Sequence, residues 1–132
     1  MRHLVFSAAV AIAFASIAGC DACGNSVVEE IAAPDGKLKA VLFNRDCGAS
    51  TGFSSQLSIL PAGQNPSDSG NAFVADSDHG AAEVGAWGGP LVAMRWTSAE
   101  ALTVTYAPHS RTFKTETKVQ GVTITYLAGV TP

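Results

Sequence analysis

Two polar segments and a pair of indoles in this 132-residue chain hold the residue types that can bind or react. Arg45-Asp46-Cys47-Gly48-Ala49-Ser50-Thr51-Gly52 is the most polar and glycine-punctuated segment. A guanidinium at Arg45 can clamp a carboxylate or phosphate, and the Ser50 and Thr51 hydroxyls with the glycine amides can complete an anion nest. The plainer alternative pairs Arg45 and Asp46 locally and leaves the glycines to shape a loop, since no Gly-Lys-Ser phosphate motif follows. Asp76-Ser77-Asp78-His79, with Glu83 downstream, can place carboxylates and an imidazole around one cation. The segment lacks both the four N or S ligands usual at structural zinc and the acid spacing of an EF-hand. The expectation is therefore a solvated acidic loop with no metal or cofactor assigned.

His79 and His109 could serve a serine nucleophile as bases, but no Gly-x-Ser-x-Gly elbow frames either, so no catalytic residue is assigned. Trp87, inside Gly85-Ala86-Trp87-Gly88-Gly89-Pro90, can act as a binding anchor or fold back over the rim of the core. Trp96 lies in an apolar run and reads as core. The binding candidates are thus Arg45, Asp46, Ser50, Thr51, His79 and Trp87.

The elements that must position these residues read as strands. Thr, Val, Ile, Phe and Tyr recur in short runs punctuated by Gly, Pro, Asn, Asp and Ser, with no sustained helical period. Strands are expected over 26–32, 37–44, 53–60, 71–76, 91–97, 102–107, 112–118 and 122–127. Ala33-Pro34-Asp35-Gly36 is a turn in which Pro presets φ and Gly accepts a positive one. Phe53, Ser55, Leu57 and Ile59 should share one face of their strand. Lys114, Glu116 and Lys118 should oppose Phe113, and Val122, Ile124 and Tyr126 should alternate with Thr123, Thr125 and Leu127. Residues 61–70 form a polar loop and 77–89 a long Gly- and Ala-rich one. Eight short strands imply an all-β domain, a small antiparallel sandwich or barrel. Pro34-Asp35-Gly36-Lys37 and Met94-Arg95-Trp96 each resemble a hairpin of a β-propeller repeat, but several blades of about 40 residues would not fit this chain.

Composition narrows the classes further. Hydrophobic residues make up 47% of the chain, charged residues 14%, and the net charge is −3, which excludes a disordered acidic tail and a basic nucleic-acid binder. The apolar excess is concentrated at the start, where Met1-Arg2-His3 precedes an apolar stretch from Leu4 to Ala18. That stretch is shorter than the roughly 20 residues a spanning helix needs and matches the core of a secretory leader, about 7–15 residues long.

Ile17-Ala18-Gly19-Cys20 resembles the lipobox of bacterial lipoproteins at all four positions. The resemblance implies a signal peptide over 1–19, cleavage before Cys20, diacylglycerol on its sulfur, and acylation of the new amino terminus, giving palmitate-type chains that anchor a single domain over 26–132 through a tether at 20–25. Each buried CH₂ contributes about 0.8 kcal/mol, so several chains hold a protein at a membrane durably. Losing Arg2 takes the net charge from −3 to −4. Asp21 resembles the inner-membrane retention residue of enteric lipoproteins, although sorting rules differ between lineages and either membrane of the envelope remains open.

With Cys20 given to lipid on that resemblance, Cys23 and Cys47 are left as a pair in the oxidising periplasm. The alternatives are a Cys20/Cys23 redox pair, which lipidation removes, and Cys47 as a nucleophile, which an oxidising compartment disfavours. The mature chain as a whole resembles a family of small bacterial lipoproteins. The likeness is carried by Cys23-Gly24-Asn25, Pro34-Asp35-Gly36-Lys37, the run from Arg45 to Phe53, His79-Gly80 and Trp87-Gly88-Gly89-Pro90, with departures at Ala33 and Ser50. It implies an envelope address and paired cysteines; no activity comes with it. The expectation is a non-enzymatic, lipid-anchored binding or structural module with an envelope protein or ligand as partner and no nucleic acid. A periplasmic inhibitor or immunity-type protein against a toxin or lysozyme is the alternative, marked by salt-sensitive binding. A small hydrolase using Asp76, His79 and a serine is the third.

Overall fold

A computed structural model describes residues 23–48 and 52–129, so the leader, Cys20, Ser50 and Thr51 lie outside the described residues. Among the described residues there are nine strands and no helix: β1 (Gly24–Ala32), β2 (Leu38–Asp46), β3 (Ser54–Pro61), β4 (Phe73–Asp76), β5 (Val92–Ser98), β6 (Ala101–Tyr106), β7 (Arg111–Thr115), β8 (Lys118–Val119) and β9 (Val122–Ala128). They form two sheets, ordered β1-β2-β3-β4-β7 and β5-β6-β9-β8, neither closed into a barrel. The all-β sandwich expected from the sequence is the fold.

The core between the sheets follows from alternation. Leu42, Leu57, Ile59, Phe73 and Ala75 from the first sheet meet Val92, Met94, Leu102, Val104, Val122 and Ile124 from the second, all buried. Phe73 sits against Tyr106 and Tyr126, with ring centroids 5.4 Å and 5.8 Å apart. The Tyr126 hydroxyl points at the carbonyls of Ala72 (2.9 Å) and Glu116 (2.7 Å), tying one sheet to the other, and its burial raises its pKa.

β2 and β3 are buried on both faces. Val41 and Phe43 lie opposite Ser58 and Gln56 on the side away from the core, yet all four are buried. Residues 62–71 cover them: the Gly70 amide donates to Gln56 Oε1 (2.8 Å), and the Asn71 amide to Ser58 Oγ (3.0 Å). The near-continuous apolar run from Leu38 to Phe43 is the sequence counterpart of this double burial. Among the described residues no buried side-chain nitrogen or oxygen lacks a partner.

Four expectations need correction. The strand expected over 112–118 is two: β7 ends at Thr115, the chain passes between the sheets, and β8 begins at Lys118. Phe113 is exposed, because a register shift between Val74 and Ala75 leaves it out of the β4–β7 ladder. The sandwich is also not wholly antiparallel. β6 and β9 pair in parallel, since β7 and β8 intervene as a crossover long enough to permit it. Phe53 precedes β3 and is 61% exposed, whereas Ser55, Leu57 and Ile59 do face the core.

Pairing registers give the sandwich two distinct ends. Gly24 faces Asp46, and Ser54 faces Asp76, which faces Arg111, so the starts of β1, β3 and β7 and the ends of β2 and β4 share one end with Cys23. Ser55 Oγ donates to the Pro90 carbonyl, bringing the start of β5 to that same end. The Trp96 indole donates to the Ile31 carbonyl (3.0 Å) near the other end, where the turns after β1 and β5 lie.

Candidate functional site

The Cys23 end gathers segments that are far apart in the chain. Cys23 and Cys47 form a disulfide, 24 residues apart, which joins the start of β1 to the segment after β2. Asp76 closes β4, and its carboxylate takes the Arg111 guanidinium in a two-bonded fork: Nε donates to Oδ1 (3.1 Å) and Nη2 to Oδ2 (2.6 Å). That fork lowers the pKa of Asp76, against a smaller opposing effect of burial. It raises the pKa of Arg111 in return. Asp78 lies 4.0 Å from the same guanidinium. On its other side, Arg111 stands 5.2 Å from the ring centre of exposed Phe113.

After Asp76 the backbone takes three consecutive positive φ values, 49° at Asp78, 57° at His79 and 87° at Gly80. An Asp tolerates the left-handed region better than most residues, and a His held there needs local support. The support is visible. The Asp78 amide donates to Asp76 Oδ1 (2.9 Å), Gly80 to Ser77 Oγ (3.0 Å), and Ala82 to the Ser77 carbonyl (3.0 Å). Ser77 Oγ is thereby engaged with the backbone, and among the described residues no hydrogen bond joins His79 to a serine.

The second half of the long loop is held by Ser55, which is wholly buried. Its hydroxyl donates to the Pro90 carbonyl and accepts from the Trp87 indole (2.9 Å). Trp87 thus folds back against the core, its ring over Gly85, where a Cβ would stand 2.1 Å from the indole. At Gly89 a Cβ would come within 2.5 Å of the Ser54 backbone, and at Gly88 within 2.7 Å of the Phe53 ring. These glycines let the loop lie flat against the start of β3.

Between the segments is a cleft of about 420 Å³ lined by Gly52, Phe53, Asp76, Ser77, His79, Gly88 and Arg111. It offers an exposed aromatic ring, an imidazole and a charged fork in one concavity, a set suited to holding an amphipathic ligand. Of the sequence candidates, Asp76 and His79 line it, while Trp87 only supports its wall. Arg45 is elsewhere: Nη1 donates to Asn25 Oδ1 (2.8 Å), Nη2 lies 3.8 Å from Asp68, and its side chain is only 14% exposed. Asn25 in turn donates to the Pro66 (3.0 Å) and Asp68 (2.9 Å) carbonyls, so this arginine pins residues 66–68. Asp46 accepts from the Gly48 amide (2.9 Å) as a loop-shaping residue. Asp76, Asp78 and His79 do not converge as ligands, and among the described residues no three His, Cys, Asp or Glu side chains could hold a metal. Glu83 and His109 are exposed, His109 in a turn with φ of 69°.

Sequence reasoning missed Arg111 and Phe53. Arg111 follows a turn with nothing local to mark it, because its pairing with Asp76 exists only through the β4–β7 register across 35 residues. Phe53 sits after a glycine at a strand start, where an apolar residue ordinarily turns inward. No protein-family model, curated protein or solved structure matches the chain.

Proposed function

We propose that this protein is a lipid-anchored module of the bacterial envelope that binds rather than transforms its partner, using the cleft and the exposed rings at its Cys23 end. The carrying observation is the meeting there of Gly52-Phe53, Asp76–His79, Gly88 and Arg111, which lie on separate segments yet line one concavity. Four of the five motifs behind the lipoprotein resemblance lie wholly or partly at this end. Functional residues are commonly carried on loops set by a rigid scaffold, and here the long loop from Ser77 to Pro90 is fixed by long-range polar ties. The leader and the lipobox supply the anchor, and the engagement of Ser77 with backbone groups favours binding over hydrolysis.

Two measurements test the two halves. A palmitate analogue should label the wild-type chain in growing cells and leave Cys20→Ser unlabelled; equal labelling refutes the anchor. A photo-crosslinking amino acid at Phe53 should form adducts in intact cells, and the same group at Asp35, at the far end, should form none. Adducts from Asp35 alone would move the binding surface to the other end.

A further inference from the structure

We infer that the Cys23 end of the sandwich lies against the membrane surface, with Phe53 entering the headgroup region. This rests on the anchor at Cys20. Three peptide units separate Cys20 from Cys23, a reach of at most about 10–11 Å. β1 begins at Gly24 and runs nine residues away from that point, about 30 Å at a strand's rise. A tether this short keeps the Cys23 end at the bilayer and leaves the choice between standing on that end and lying on a flank.

Exposed apolar side chains decide between them. The large hydrophobic residues exposed among the described residues are Val27, Phe53, Val84, Phe113 and Leu127. Phe53 and Val84 are in loops at the Cys23 end, Leu127 is the next-to-last residue of β9 where it ends beside Tyr106, and Phe113 is two residues from Arg111. Val27 is three residues from Gly24. At the far end the turns carry Asp35, Lys37, Glu100 and Gln120, all exposed and polar. A ring exposed beside an anchored terminus has a hydrocarbon boundary within reach, and insertion of about 5–10 Å is the depth of interfacial apolar groups. The carboxylates of Asp46, Asp78 and Glu83 are exposed at this end, so contact is through apolar groups on a surface of zwitterionic headgroups rather than through charge.

The test uses the acylated full chain in vesicles of phosphatidylethanolamine and phosphatidylcholine carrying bromine on the acyl chains. Phe53→Trp and Lys37→Trp are each compared with wild type. Fluorescence added by Phe53→Trp should be quenched at least twofold more than that added by Lys37→Trp. Equal quenching places the domain on its flank, and quenching at neither site stands it off the bilayer; both overturn the docking. Mass spectrometry of Cys20 reads the anchor separately. An unacylated Cys20 defeats anchor and docking together, whereas an acylated Cys20 without the Phe53→Trp excess defeats the docking alone.

Discussion

The two ends of this sandwich are built by different means. At the far end β1 and β2 are joined by Ala33-Pro34-Asp35-Gly36, whose Gly36 amide donates to the Ala33 carbonyl (2.8 Å) with φ of 71° at the glycine. Gln120-Gly121 joins β8 to β9 with positive φ at both residues, the turn that matches strand twist. The hydrogen bonds that close these turns are local, while the Trp96 indole on the Ile31 carbonyl and the Ala62 amide on the Lys37 carbonyl reach the first from farther along the chain. At the Cys23 end the shaping contacts span the chain: Cys23 with Cys47, Trp87 with Ser55 across 32 residues, and Asp76 with Arg111 across 35. Such an end can hold a shape that no single segment specifies. That is the division of labour expected when a scaffold carries a site.

Removing the disulfide should break the difference most visibly. In the chain-entropy account a bridge across 24 residues contributes about 3–4 kcal/mol, so Cys23→Ser with Cys47→Ser should lower unfolding free energy by about that amount in denaturant titration. Amide exchange should accelerate first at the Cys23 end; equal acceleration at residues 33–38 would show that the ends are not independent. Gly89→Ala comes next. The new Cβ meets the Ser54 backbone, which cannot move away without shifting β3, and overpacking of this kind costs about 1–3 kcal/mol. Gly36→Ala is the far-end control: its Cβ meets nothing, so only the backbone cost of roughly 1–2 kcal/mol at positive φ remains. A Gly36→Ala loss as large as that of Gly89→Ala would erase the contrast.

The same contrast explains what was legible in the sequence. Strand positions, the Pro-Asp-Gly turn and the inward residues Leu57, Ile59, Val122 and Ile124 follow from period and turn chemistry, which act over a few residues. The crossover at Glu116 and Thr117 was invisible because alternation continues through it; only the sheet partner changes. Arg45 reads from its polar neighbours either as an anion clamp or as a paired loop residue; it is paired, but with Asn25 and Asp68, which lie 20 and 23 residues away. Arg111 and Phe53 join the cleft through register alone. Had the long loop been tied locally, His79 and Trp87 could have been placed; Ser55, which faces the core as its strand position implies, is also the group that positions Trp87.

The two indoles sharpen the comparison at a smaller scale. Trp87 donates to a side chain at the Cys23 end and Trp96 to the Ile31 carbonyl at the far end. Trp87→Phe and Trp96→Phe each remove one such bond, worth about 1 kcal/mol. Their consequences should differ in place: the first should loosen amides 83–91, the second the edge of β1 around Ile31, as read by hydrogen exchange. A common pattern for both would mean that the two ties belong to one cooperative unit.

The smallest effect concerns the fork of Asp76 and Arg111. The fork holds the Asp76 carboxyl below its ordinary value of 3.8, so the ionised form is favoured in the folded chain. A lowered folded pKa contributes stability that is fully present above the unfolded value and is lost as pH falls through the folded one. Wild type should therefore exceed Asp76→Asn in stability at neutral pH, and the gap should close on acidification below about pH 4. Arg111 is half-exposed and solvent screens the pair, so the gap should be less than the loss from either indole. No gap at neutral pH would mean that Asp76 acts through its hydrogen bond to the Asp78 amide, which Asn can also accept, rather than through charge. In that event the left-handed turn at Asp78 and His79, and not the ion pair, is what Asp76 maintains in the cleft.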